Sequence, residues 1–207
     1  MSTHEIVLHG SHLSGHTHRV ALLLRALALP YRFEPADAAR RASAEYRSLN
    51  PLGQIPVLQD GALLLADSNA ILVYLAKRYA PGTPWLPEDA VGAAAVQRWL
   101  SIAAGEVRYG PAAARMALQW DMPEDPAAGA RIAKRLLGFM DDHLSQRTWL
   151  AADEITIADL ACYSYVAHAP EGGIPLEPFP SVLRWVGAVE AQPWFEPMPA
   201  SPLPDPI

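Results

Sequence analysis

Apolar positions fall into two rhythms along this chain. In residues 5–9, Ile6 and Leu8 share one face of an alternating stretch, which predicts a short strand. Residues 16–28 carry Val20, Leu23, Leu24 and Leu27 at helical spacing, and Pro30 ends that helix. Residues 31–34 read as a second strand and residues 42–49 as a short helix. The run N-P-L-G-Q-I-P-V-L at residues 50–58 contains two prolines and a glycine, which exclude a helix. Residues 56–58, the pair Asp60-Gly61 and residues 62–65 read as a hairpin with a tight turn. Another helix opens at Asp67-Ser68 and runs to about Tyr79. The order βαβαββα predicts a small α/β sandwich on a mixed four-stranded sheet.

The run A-P-G-T-P-W-L-P-E-D at residues 80–89 breaks the pattern, and no strand is expected beyond it. Residues 91–120 form one long helical pattern, bent or broken near Gly110-Pro111. Residues 127–144 form a second, with Ile132, Leu136, Phe139 and Met140 in phase. Residues 157–167 and 180–191 supply two more, and the proline-rich segment 197–206 is not regular helix. The expected organisation is an α/β domain over residues 1–80, a linker over 81–90 and an all-helical domain over 91–207.

Composition narrows the function classes. The 207 residues are 51% apolar and 18% charged, and 16 basic against 22 acidic residues give a net charge of −6. That balance provides no phosphate-neutralising stripe, so nucleic acid is not an expected partner. No apolar run approaches the ~20 residues of a membrane span. The first ten residues lack the basic start and long apolar run of a secretory signal, so the expectation is a cytoplasmic protein. The single cysteine, Cys162, excludes an internal disulfide and a C-x-x-C redox pair. The 36 alanines, and two lysines against fourteen arginines, are a compositional bias without functional content.

Four segments point one way: L-S-G-H-T-H-R-V at residues 13–20, N-P-L-G-Q-I-P-V-L at 50–58, A-D-S-N-A-I at 66–71 and T-I-A-D-L at 156–160. In this order and spacing the chain resembles the cytosolic glutathione transferases over nearly its whole length. Y-S-Y-V-A-H-A-P-E-G at residues 163–172 and the ending P-W-F-E-P-M resemble a bacterial, serine-type branch. The resemblance implies a thioredoxin-like βαβαββα domain followed by the family's all-helical C-terminal domain. It also implies glutathione as co-substrate, a small electrophile as acceptor, and a homodimer through the helices containing Tyr74 and Arg98. No metal cofactor is implied.

Each implied site residue also has a structural reading. The resemblance makes Ile55-Pro56 a cis pair whose bent backbone offers the Ile55 N–H and C=O to glutathione; an ordinary trans turn is the alternative. Asp67 and Ser68 are good helix N-caps, and in the family the same pair holds the γ-glutamyl end. Gln54 fits the family pattern at the glutathione site, and Arg41 is a candidate partner for the glycyl carboxylate. Ser14 is where serine-type members carry the hydroxyl that activates the thiol; it is also a plausible N-cap, with Ser11 a rival. Arg108, Tyr109 and His16 are the expected acceptor-pocket residues. His9, His12, His16 and His18 lie close in sequence, yet strand, loop and helix would scatter them away from a zinc site. Thr156 and Asp159 form a capping box, a folding element. Cys162 reads as a small buried hydrophobe.

Three activities remain open: thiol addition to an electrophile, glutathione-dependent reduction of peroxides or disulfides, and non-catalytic binding of glutathione or apolar ligands.

Overall fold

The structure is a computed structural model that describes residues 5–204. Its sheet has the order β2-β1-β3-β4. Strand β1 (Ile6–Gly10) runs parallel to β2 (Tyr31–Pro35) and antiparallel to β3 (Val57–Asp60), which pairs antiparallel with β4 (Leu63–Ala66). Helix α1 (Gly15–Ala26) links β1 to β2, and α4 (Ser68–Tyr79) follows β4. Both pack on the sheet face that carries Ile6, Leu8 and Leu58. On the opposite face Val57 meets Ala36 and Tyr46. Strand alternation therefore buries both sides of the sheet.

The segment between β2 and β3 holds two short helices, α2 (Ala38–Ala42) and α3 (Ala44–Leu49), where the sequence pattern predicts one over residues 42–49. Asp37 caps α2 through the Arg40 N–H, and Ser43 caps α3 through the Tyr46 N–H. Helix α2 has no buried residue, so it leaves no apolar stripe to read.

Among the described residues no strand follows β4. The predicted 91–120 helix is three pieces: α5 (Ala90–Ile102), a π-helical stretch (Ala103–Ala112) and α6 (Ala113–Trp120). Gly110 is non-helical at φ −93° and ψ −105°, just before Pro111, which has no N–H to donate. Helices α7 (Pro126–Leu144), α8 (Ile157–Ala167) and α9 (Pro180–Glu190) complete the layer, with a 3₁₀ turn at Ala169–Gly172. Asp159 closes the capping box of α8 and also accepts from the Leu150 N–H and Trp185 Nε1. Residues 195–204 form no regular structure, and residues 205–207 of the predicted irregular tail lie outside the described residues.

One apolar cluster runs from Leu8, Leu23 and Leu72 through Trp99 and Met140 to Tyr163 and Trp185. The sheet layer and the helical layer thus share a continuous core. Among the described residues no helix is long and apolar enough to cross a membrane.

Candidate functional site

The sheet register places three loops at one end of the sheet. His9 of β1 lies opposite Val57 of β3, and Val57 lies opposite Ala66 of β4. The chain leaves β1 into residues 11–14, enters β3 from residues 54–56 and leaves β4 into Asp67-Ser68. Segments far apart in sequence therefore meet at the same end of the sheet, beside the N-termini of α1 and α4.

Ser14 is the N-cap of α1, and its Oγ accepts the Thr17 N–H at 3.3 Å. A serine hydroxyl carries one proton and two lone pairs, so this cap leaves the proton free to donate elsewhere. Ser11 Oγ accepts the Leu13 N–H at 3.3 Å, and the Ser14 N–H donates to the Ser11 carbonyl at 3.1 Å. The two serines belong to one turn, but only Ser14 sits on a helix end. At Gly15 a Cβ would lie 2.9 Å from the Tyr165 ring, so the glycine lets α8 seat directly on the start of α1.

The Ile55–Pro56 peptide bond is cis. The Gln54 carbonyl is held by Tyr46 Oη at 3.1 Å and Asn50 Nδ2 at 3.0 Å. The backbone N–H and C=O of Ile55 have no partner among the described residues. They lie just before β3, beyond the last paired residue, Val57. The Arg41 backbone borders the same loop, since a Cβ at Gly53, whose φ is +64°, would lie 3.0 Å from the Arg41 carbonyl oxygen; the Arg41 side chain donates from Nε to the Asp37 carbonyl at 3.3 Å.

Asp67 caps α4, accepting the Ala70 N–H at 2.9 Å from a backbone at φ 73°. Ser68 is buried behind it and accepts from Arg19 Nη1 at 3.2 Å; the same nitrogen donates to Asn69 Oδ1 at 3.1 Å. Asn69 Nδ2 in turn donates to the Leu100 carbonyl, which ties the α4 start to α5. Sequence reasoning missed Arg19. It is 1% exposed, lies 5.9 Å from the Tyr165 ring centroid, and its Nε and Nη2 have no partner among the described residues. Burial works against its charge, with Tyr165, Cys162 and Asp67 acting the other way. The available signal was its position four residues before Leu23, on the apolar stripe of α1.

His16 stands 3.4 Å from Ser68 Oγ and edge-on to Tyr165. Burial, then the charges of Arg19 and Arg108, push its pKa well below the usual histidine value, so the ring is neutral. The structure thus groups His16 with Ser68 and Arg19 and within electrostatic reach of Arg108. Arg108 pairs with Glu124 at 3.2 Å and lies over the ring of Tyr109, which is 61% exposed. The remaining histidines meet other partners: His12 stacks on Phe33, His9 faces Tyr46, and His18 bonds Ser164 and the Glu196 carbonyl. No group of three potential metal ligands forms among the described residues. Cys162 is fully buried beside the Trp99 carbonyl, and burial pushes its thiol up to about 12.

Both layers of the chain are similar to known proteins. Residues 8–84 match the family described as "Glutathione S-transferase, N-terminal domain", and residues 108–193 match "Glutathione S-transferase, C-terminal domain". The chain is 33% identical to glutathione S-transferase 3 of Zea mays, over 96% of each chain. It is 29% identical to the GstB glutathione S-transferase of Escherichia coli K12, over 91% of this chain and 94% of that one. Among solved structures, a glutathione S-transferase from Pseudomonas fluorescens superposes with a TM-score of 0.87 at 28% identity, covering 93% of this chain and 98% of the other. A glutathione transferase homologue of Drosophila mojavensis, solved with bound glutathione, superposes with a TM-score of 0.80 at 28% identity, over 92% and 89% of the two chains.

Proposed function

The chain belongs to the glutathione S-transferase family, and from that premise we propose that it activates the thiol of glutathione at Ser14 for attack on a small electrophile. The observation that carries this reading is the meeting of three loops at one end of the sheet, each with a free group suited to one part of the tripeptide. The unpaired N–H and C=O of Ile55 suit the cysteinyl backbone, as a strand added to an edge. The α4 N-terminus, with Asp67 and Ser68, suits the γ-glutamyl end: the carboxylate meets helix N–H groups and the ammonium meets Asp67. Gln54 and Arg41 border the remaining side, and the cation of Arg41 suits the glycyl carboxylate.

The cysteinyl sulfur then falls toward the start of α1. A free thiol has a pKa of ~8.5, and lowering it by about two units requires ~2.7 kcal/mol of preference for the anion. The Ser14 proton donating to the thiolate supplies ~1.5–3 kcal/mol, and the helix end ~0.3–1 kcal/mol. Capping and thiolate donation use different parts of the same hydroxyl, so the two readings of Ser14 are compatible. The thiolate attacks the electrophilic carbon, forming a C–S bond as the leaving group departs or the electron pair moves onto the acceptor. Arg108 and Tyr109 border the acceptor side, with His16 between the two halves.

We further propose a twofold dimer through the surface of α4 and α5. A groove lined by Arg98, Ile102, Arg135, Leu136 and Phe139, and the half-exposed Leu63 and Leu64 on edge strand β4, support it. On this reading residues 1–80 bind glutathione, residues 91–207 supply the acceptor site, and the enzyme works in the cytoplasm.

Mass analysis of products with an activated aryl halide is the test. A thioether of glutathione is expected. Oxidised glutathione from a peroxide, with no adduct, would instead give the reductase reading.

A further inference from the structure

Behind the Ser14 loop lies a buried ion pair whose contacts extend beyond one element. Arg115 of α6 is 1% exposed and spreads its three guanidinium nitrogens over three separate segments. Nε donates to Glu171 Oε2 at 2.5 Å, Nη1 to the Leu13 carbonyl at 2.9 Å, and Nη2 to Ser201 Oγ at 3.2 Å. The second carboxylate oxygen of Glu171 accepts the Ser201 N–H at 2.9 Å. One turn along α6, Gln119 Nε2 donates to the carbonyls of Glu171 and Pro202. Close backbone approach makes this possible: a Cβ at Gly172 would lie 2.7 Å from the Arg115 backbone nitrogen.

Leu13 directly precedes Ser14. A peptide group is planar, so holding the Leu13 carbonyl also fixes the plane that contains the Ser14 nitrogen and Cα, and the Ser14 N–H bond to the Ser11 carbonyl and the Thr17 N–H bond to Ser14 Oγ then set the side chain on that anchored unit. The bond is charge-assisted and buried, and the fork geometry of arginine defines its angle as well as its length. An ion pair removed from water often adds little net stability compared with apolar residues of the same volume.

We propose that Arg115 and Glu171, closed by Ser201 of the C-terminal segment, form a clamp that positions residues 11–14. Arg115 is a positioning residue that acts through Leu13 and Ser14 without touching glutathione. Residues 197–204, far from the sheet in sequence, are then part of the site's construction. The proposal rests on the reading of Ser14 given above.

Two measurements on Arg115→Met and Arg115→Lys, and on a chain ending at Ala200, separate the clamp from that reading. The first is amide hydrogen exchange of the glutathione-free protein. Exchange over residues 11–18 should accelerate about tenfold or more while the β3–β4 hairpin is unchanged. The second is the pKa of the bound glutathione thiol, which should rise by about one unit, or tenfold less thiolate at fixed pH. Lysine should recover less than half of either change, because an ammonium cannot reproduce the fork. A folded Arg115→Met protein with wild-type exchange over residues 11–18, or with an unchanged thiol pKa and only a lower Tm, would overturn the proposal. Should that variant fail to fold, the shortened chain carries the same two readouts, and wild-type values in it would overturn the clamp equally. A wild-type protein that leaves the thiol at its free value would remove the Ser14 reading and with it the clamp's catalytic role, and exchange would still decide whether the clamp holds the loop.

Discussion

Ser14 caps α1 through an oxygen lone pair, and the proposed chemistry uses its hydrogen. Replacing it with alanine removes both. Loss of the cap should lower stability by ~1 kcal/mol, read as a shift in the denaturant midpoint. Loss of the donor should return the bound thiol most of the way to its free pKa, while glutathione affinity measured at about pH 5.5, below both thiol pKa values, changes less than threefold. A Ser14→Ala protein with wild-type turnover would remove Ser14 from the mechanism. Arg19 belongs to the same scale. One nitrogen holds both Ser68 and Asn69, so Arg19→Met should unfasten the α4 start and weaken glutathione binding by about tenfold, measured by calorimetry. The sequence exposes Ser14, Ile55-Pro56 and Asp67-Ser68 because motif spacing carries them. It hides Arg19 and Arg115, whose partners lie about fifty or more positions away and are brought to them only by tertiary packing.

Helices and strands were largely legible, and the exceptions have physical causes. Strand and helix periods marked β1, α1, the hairpin and α7 to α9 within a residue or two, because each buries one clear face. Helix α2 stayed hidden because it buries nothing. The π-helical stretch left only the Gly110-Pro111 signal. The capping box of α8 reads from sequence as a folding element, and its wider bonding makes that quantitative. Asp159→Ala would strand the Leu150 and Thr156 N–H groups and Trp185 Nε1 in the core. That should cost on the order of 3 kcal/mol or more. Thermal unfolding measures it, and activity per folded molecule should be retained.

At the scale of the whole molecule, the shared core joins the sheet layer to the helical layer, and His18 is one of its polar fasteners. Its Nε2 lies 2.8 Å from the Glu196 carbonyl, which only accepts, so Nε2 carries the proton and Nδ1 accepts from Ser164. Burial outweighs that carbonyl and brings the His18 pKa down to about 4. The unfolded chain therefore binds a proton that the folded chain refuses between the unfolded value of 6.5 and about 4. The His18 contribution is fully present above the unfolded value and is lost as pH falls through that window, by roughly 3 kcal/mol in all. His16, His9, His143 and His168 are shifted downward as well, so they steepen the loss. Denaturant midpoints at about pH 7 and about pH 4.5 should show it, and His18→Gln should flatten the slope. The two-layer architecture was legible because strands stop at the proline-rich run and helices resume beyond it. The single core was not, because periodicity shows that a face is buried and not what it is buried against.

Ionisation of the glutathione thiol by this site underlies the whole mechanism, and thiolate absorbance followed through a pH titration of the protein with glutathione reads it without an intermediary. The bound thiol should ionise about two units below its free value, at roughly pH 6.5, and Ser14→Ala should return it toward the free value. Glutathione bound with an unshifted thiol, or not bound at all, would contradict the mechanism.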